Sequence, residues 1–97
     1  MSESRPDASP AALYSIDWDS AAARDAQGLP FDHLARVFSV LAMLVCDPRP
    51  GSAGARHGPL KGLLGIAVGR FRILYRIDDA AKRLCIARIA DRKEVYR

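Results

Sequence analysis

No apolar run in the sequence approaches the roughly 20 residues that a membrane-crossing helix needs. The first ten residues, MSESRPDASP, lack the charged-then-apolar pattern of a secretion signal. Cysteine is scarce: Cys46 and Cys85 each sit in an apolar run, with no histidine spacing to complete a zinc site. Buried free thiols in a reducing compartment are the expectation. Histidine occurs only at His33 and His57. A Ser–His–Asp arrangement, a carboxylate pair, a P-loop and a dinucleotide fingerprint are all missing. These absences exclude the nucleotide-dependent and triad-based enzyme classes. They predict a soluble cytoplasmic protein with no membrane contact, no metal and no cofactor.

What is present is one domain's worth of chain, 97 residues with 49% hydrophobic content, enough to fold around a single core. The net charge of +4 is unevenly spread. Residues 1–55 hold four basic and seven acidic residues, a balance of −3; residues 56–97 hold eleven basic and four acidic, a balance of +7. A basic half implies an anionic partner, a nucleic acid or an acidic protein. The bland alternative is a solvated arginine-rich surface.

Residues 1–12 are polar, small and Pro-containing, which predicts a flexible tail ahead of a domain spanning 13–97. Leu13 to Trp18 alternates weakly and carries Tyr, Ile and Trp, predicting a short strand. SAAARDAQ is a fair helix former that Asp19 or Ser20 can cap and Gly28 can end. Phe31, Leu34, Phe38, Leu41 and Val45, widened by Val37 and Leu44, form a helical stripe. Asp32 suits its first turn, and Pro48 and Pro50 stop it. DPRPGSAGARHGPLKG reads as a loop. LLGIAV, RFRILYRI and RLCIARIA read as three strands, with DDAAK as the last hairpin's loop. The order β-α-α-β-β-β predicts an α+β fold, an antiparallel sheet with two helices on one face. Within GRFRILYRIDD, Phe71, Ile73, Tyr75 and Ile77 should face the helices, and Arg70, Arg72 and Arg76 should face outward.

Taken in order, DPRP, PLKG, VGRFRILYRIDD and RIADRKEVYR resemble the RelE/ParE superfamily, the toxins of type II toxin–antitoxin modules. The resemblance covers about residues 13–97. It implies a RelE-like fold: an N-terminal strand, a helical hairpin and a three-stranded antiparallel meander. It also implies a cognate antitoxin, an acidic segment wrapping the toxin. RelE-like members cut mRNA on the ribosome and so inhibit translation. ParE-like members poison DNA gyrase and catalyse nothing themselves. A third possibility is a toxin that has lost activity and keeps only the antitoxin groove.

Metal-free RNA cleavage requires deprotonating the 2′-hydroxyl, protonating the leaving oxygen, stabilising the phosphorane charge and holding the nucleotide in line. Arginine suits the charge role, because its planar fork matches phosphate oxygens. The resemblance matches Arg72 and Arg92 to the family's phosphate-contacting arginines and Tyr96 to its terminal tyrosine, making these three the catalytic candidates. Lys61, Arg70, Arg88, Lys93 and Arg97 are candidate nucleic-acid contacts, with His57 a possible participant. Against each stands a plain alternative: a solvated strand arginine at Arg72, a surface ion pair at Arg92, a packing aromatic at Tyr96. The sequence departs from the RelE pattern at Gly65 and Ala67, where two basic residues are expected. Their absence favours the gyrase reading; the joint presence of Arg72, Arg92 and Tyr96 in a +7 segment favours the ribonuclease.

Overall fold

In a computed structural model, which describes residues 13–55 and 62–91, the chain folds into two helices packed on one face of a five-stranded sheet. The elements follow in the order β1 (Ser15–Trp18), α1 (Ser20–Gln27), α2 (Phe31–Cys46), β2 (Gly54–Ala55), β3 (Leu64–Val68), β4 (Phe71–Asp78) and β5 (Arg83–Asp91). The strand order is β1-β5-β4-β3-β2. This is the expected α+β architecture with two differences. β1 lies parallel to β5, so the sheet is mixed and not wholly antiparallel. The Pro/Gly-rich loop also contributes β2, a two-residue strand against β3. A parallel neighbour requires a crossover, and the helical pair between β1 and the later strands supplies one.

The core sits between the helices and the sheet. Val37, Leu41 and Leu44 of α2 and Ala22 of α1 meet Ile66 and Val68 of β3, Ile73 and Tyr75 of β4, and Leu84, Ile86 and Ile89 of β5. The helical stripe is therefore rotated from the one the sequence predicts. Phe31 is 84% exposed and Phe38 51% exposed. Phe38 covers the end of β1 by packing edge-on against Trp18, with ring centroids 6.1 Å apart.

β5 changes parity within itself: Leu84 and Ile86 face the core, then Ile89 does. A regular strand cannot put even and odd residues on one face. The register shows how it is resolved. Tyr75 pairs with Ile86 and Leu74 with Arg88, leaving Ala87 as the extra residue of a bulge.

Local turn chemistry is equally specific. Gly69 and Arg70 join β3 to β4 in a two-residue loop, and Gly69 adopts φ +61°. A left-handed first position followed by an ordinary second is what a type II′ hairpin needs, and glycine adopts it without strain. Asp19 does not cap α1 with its side chain. Its Oδ1 instead accepts a hydrogen bond from the Cys85 thiol at 3.2 Å.

Two side-chain clusters fasten the loops at the β4–β5 hairpin end. The Tyr75 hydroxyl donates to the Pro48 carbonyl at 2.7 Å, tying the sheet to the chain leaving α2. Asp79 accepts from Tyr14 at 2.8 Å and from both terminal nitrogens of Arg49, at 3.1 and 2.9 Å. Among the described residues, no helix is long and apolar enough to cross a membrane.

Candidate functional site

The sheet face away from the helices carries the charged candidates, and its register fixes which residues are neighbours. Across three strands, Ala67, Arg72 and Ala90 form one row; Gly65, Leu74 and Arg88 form the next. Arg72 thus lies between two alanines, and Leu74 beside a glycine. Small neighbours leave room for a long side chain.

Arg72 is drawn in accordingly. It is 9% exposed, the only buried charged residue among the described residues, and its Nε is sealed from solvent. Sequence alternation placed Arg72 on this face correctly, but it is not the solvent-facing arginine expected. Leu74 beside it is 3% exposed, and Ala90 is also buried, although neither belongs to the core under the helices. Gly65 is buried too; of these two rows Ala67 and Arg88 are exposed. Gly65 and Ala67 themselves bring no charge to this patch, whose cation is Arg72 on the neighbouring strand.

The other described candidates do not converge on Arg72. Arg70 stands in the β3–β4 turn, outside β4. Its Nε and Nη2 donate to Asp91 at 3.1 and 2.6 Å. Its guanidinium lies 5.5 Å from the centroid of the Phe71 ring, on the strand's helix side. The expectation that Arg70 shares a face with Arg72 is corrected by that geometry: the turn and the Asp91 pair draw it towards the helices. Arg88 is on the expected face by register, but its Nε and Nη2 donate to Asp25 of α1 at 2.8 and 3.2 Å. Arg76 remains exposed, as alternation predicts. Arg92, Tyr96, Lys61, Lys93, Arg97 and His57 lie outside the described residues.

Sequence reasoning missed Asp25, which it read as part of the helix former SAAARDAQ. β1 pairs with β5 only as far as Ile86. Beyond it the outer edge of β5 needs acceptors, and Asp25 takes the Ile89 N–H at 2.8 Å as well as the Arg88 fork. A side chain that bonds 64 residues away leaves no local periodicity to read. The same holds for Asp79, whose carboxyl is held at about 2, below its ordinary 3.8, by hydrogen bonds from Arg49 and then Tyr14.

Groups with acid–base or nucleophilic chemistry are few. Burial pushes the Tyr75 phenol up to about 12, which suits a hydrogen-bond donor and not a proton shuttle near neutrality. Burial, then the hydrogen bond to Asp19, raises the Cys85 thiol, so it is not an activated nucleophile. His33 packs edge-on against Phe71 with ring centroids 5.1 Å apart. Among the described residues, no group of three or more His, Cys, Asp or Glu gathers to hold a metal ion.

The family model described as "ParE toxin of type II toxin–antitoxin system, parDE" matches residues 15–96. The chain belongs to this toxin family. The toxin is also similar to solved structures of RelE and YoeB relatives. In the RelBE2 toxin–antitoxin complex from Mycobacterium tuberculosis, one chain superimposes with a TM-score of 0.72 at 29% identity, covering 81% of this toxin and 98% of that chain. The intact Escherichia coli RelBE complex gives a TM-score of 0.70 at 18% identity over 80% and 95% of the two chains. The YoeB/ParE toxin from Agrobacterium tumefaciens gives 0.70 at 14% over 79% and 96%. At these last two identities the likeness is one of fold. No curated protein matches the toxin's sequence significantly.

Proposed function

We propose that this toxin is a metal-independent, ribosome-dependent endoribonuclease that inhibits translation by cutting mRNA. The observation that carries the reading is the burial of Arg72 at 9% exposure between Ala67 and Ala90. A guanidinium keeps its charge in any surroundings, and a charge is held in a low-dielectric place only where something compensates it. That burial argues against a solvated strand arginine. It suits a preorganised cation, which stabilises a phosphorane more strongly than a solvated one does. In this reading Arg92 and Tyr96, from the terminal DRKEVYR, supply the second cation and the stacking or proton-transfer group. Lys61, Lys93 and Arg97 add phosphate contacts. The ribosome positions the nucleotide, so few catalytic groups suffice. A cognate antitoxin with an acidic segment would cover the basic half when the toxin is silent.

The second reading, gyrase inhibition without catalysis, is favoured by two observations. Gly65 and Ala67 provide no general base in β3. The helical hairpin displays apolar groups: Phe31, and a 420 Å³ hollow lined by Trp18, Ala23, Ala26, Leu34 and Phe38 that a protein partner would fill. Expressing the toxin and mapping cellular mRNA by primer extension separates the two. Codon-spaced cuts, lost with Arg72→Ala, are expected. DNA damage with intact mRNA would establish the gyrase reading instead.

A further inference from the structure

At the β3–β4 turn end of the molecule, remote from the Tyr14–Arg49–Asp79 cluster, cationic and aromatic groups gather from both helices and the turn. Arg24 of α1 lines a 410 Å³ hollow with Gly28, Leu29, Phe71 and Asp91. Arg36 of α2 lies over the turn, its Nη1 3.5 Å from where a side chain on Gly69 would begin. His33, one turn earlier on α2, meets the Phe71 ring, and Arg70 lies over that ring. Phe31 opens the same helix at 84% exposure.

Two carboxylates of this cluster are engaged within it, Asp91 by Arg70 and Asp25 by Arg88 and the Ile89 N–H, while Asp32 stands exposed between Phe31 and His33. Arg24 and Arg36 are exposed and have no carboxylate partner among the described residues. Both belong to the acidic half of the sequence, so the charge split along the chain did not point to them.

We propose that Arg24 and Arg36 form a second RNA-binding surface, which grips the phosphate backbone of single-stranded RNA at the β3–β4 turn. Arg24 on the rim of the hollow and Arg36 over the Gly69 turn, two residues from the Phe71 that lines the hollow, suit successive phosphates, and the exposed Phe31 ring suits an unstacked base. A polyglutamate peptide, which offers charge without a ring to stack, is the control that separates the two. The proposal rests on the reading that the toxin acts on RNA, yet its test does not depend on cleavage.

The affinity of the purified full chain for a fluorescein-labelled 12-nucleotide RNA is measured by anisotropy across a salt series, for wild type and for R24Q/R36Q. Losing two phosphate contacts should weaken binding and make the log–log salt slope shallower by about 1.4. Both substitutions are at exposed helix positions, and a matching thermal melt shows that the fold is intact. An unchanged slope, or a wild type that does not bind RNA, overturns the proposal. So does a loss confined to binding of a polyglutamate peptide, which would mark a protein-docking surface. If R24Q/R36Q loses RNA affinity while wild type cuts no mRNA, the ribonuclease reading fails and this surface stands. If mRNA is cut and the slope is unchanged, the reverse holds.

Discussion

Three side chains carry most of what is specific about this fold, and each lends itself to a direct test. Tyr75 is wholly buried, with its hydroxyl on the Pro48 carbonyl. Tyr75→Phe should cost about 1 kcal/mol in denaturant unfolding. Its pKa of about 12 lies above the 10 of a free phenol. Between those values the unfolded chain binds fewer protons than the native one, so stability is complete below pH 10 and falls as pH rises through 12. The variant should lack that alkaline loss, which unfolding curves across the range would register. Asp79 acts in the opposite sense. Its carboxyl sits at about 2 against 3.8 in the unfolded chain, so its contribution is present above 3.8 and disappears as pH falls through 2. Asp79→Asn should flatten the acid limb of the same profile, and high salt should shrink the difference because the pair with Arg49 is exposed. Arg72 is the third, and its test belongs to the whole molecule.

At the scale of elements, the tight β3–β4 hairpin depends on Gly69. Its φ of +61° strains any residue with a Cβ, while Arg36 stands at an ordinary contact distance. Gly69→Ala should therefore cost about 1 kcal/mol from backbone strain alone, lowering the melting temperature by about 5 °C. This position was legible in the sequence, since Gly69 lies between two alternating apolar runs. So were both helices, whose expected ends match Ser20–Gln27 and Phe31–Cys46. The rotated face of α2 was not. Phe31 and Phe38 are the bulkiest members of its pattern, but α2 meets the sheet through Val37, Leu41 and Leu44, and only tertiary packing chooses among overlapping stripes. The bulge at Ala87 was not legible, because RLCIARIA reads as one continuous strand whose apolar Cys85 and Ala87 hide the change of parity between Ile86 and Ile89. The parallel pairing of β1 leaves no mark on a four-residue strand.

For the whole molecule, the chain order and the spacing of DPRP, VGRFRILYRIDD and RIADRKEVYR carried the family, because a fold is written redundantly across many positions. The candidate site is written in few. Alternation put Arg72 on the correct face, but its burial shows only in the folded sheet, where it stands between Ala67 and Ala90 of two other strands. Arg70 and Arg88 looked equally available until Asp91 and Asp25 were placed beside them. Of these three only Arg72 is buried in the sheet face, and the proposed ribonuclease reading rests its chemistry on that residue. The most direct measurement is cleavage of mRNA on purified translating ribosomes, mapped by primer extension for wild type, Arg72→Ala and Arg72→Lys, each verified folded by circular dichroism. Wild type should cut at codon-spaced positions. Arg72→Ala should slow cutting about 100-fold, as loss of one preorganised charge-stabilising donor does, and Arg72→Lys should recover part of it because the charge remains while the fork is lost. Equal cutting by folded wild type and Arg72→Ala, or no cutting by wild type, would contradict the account.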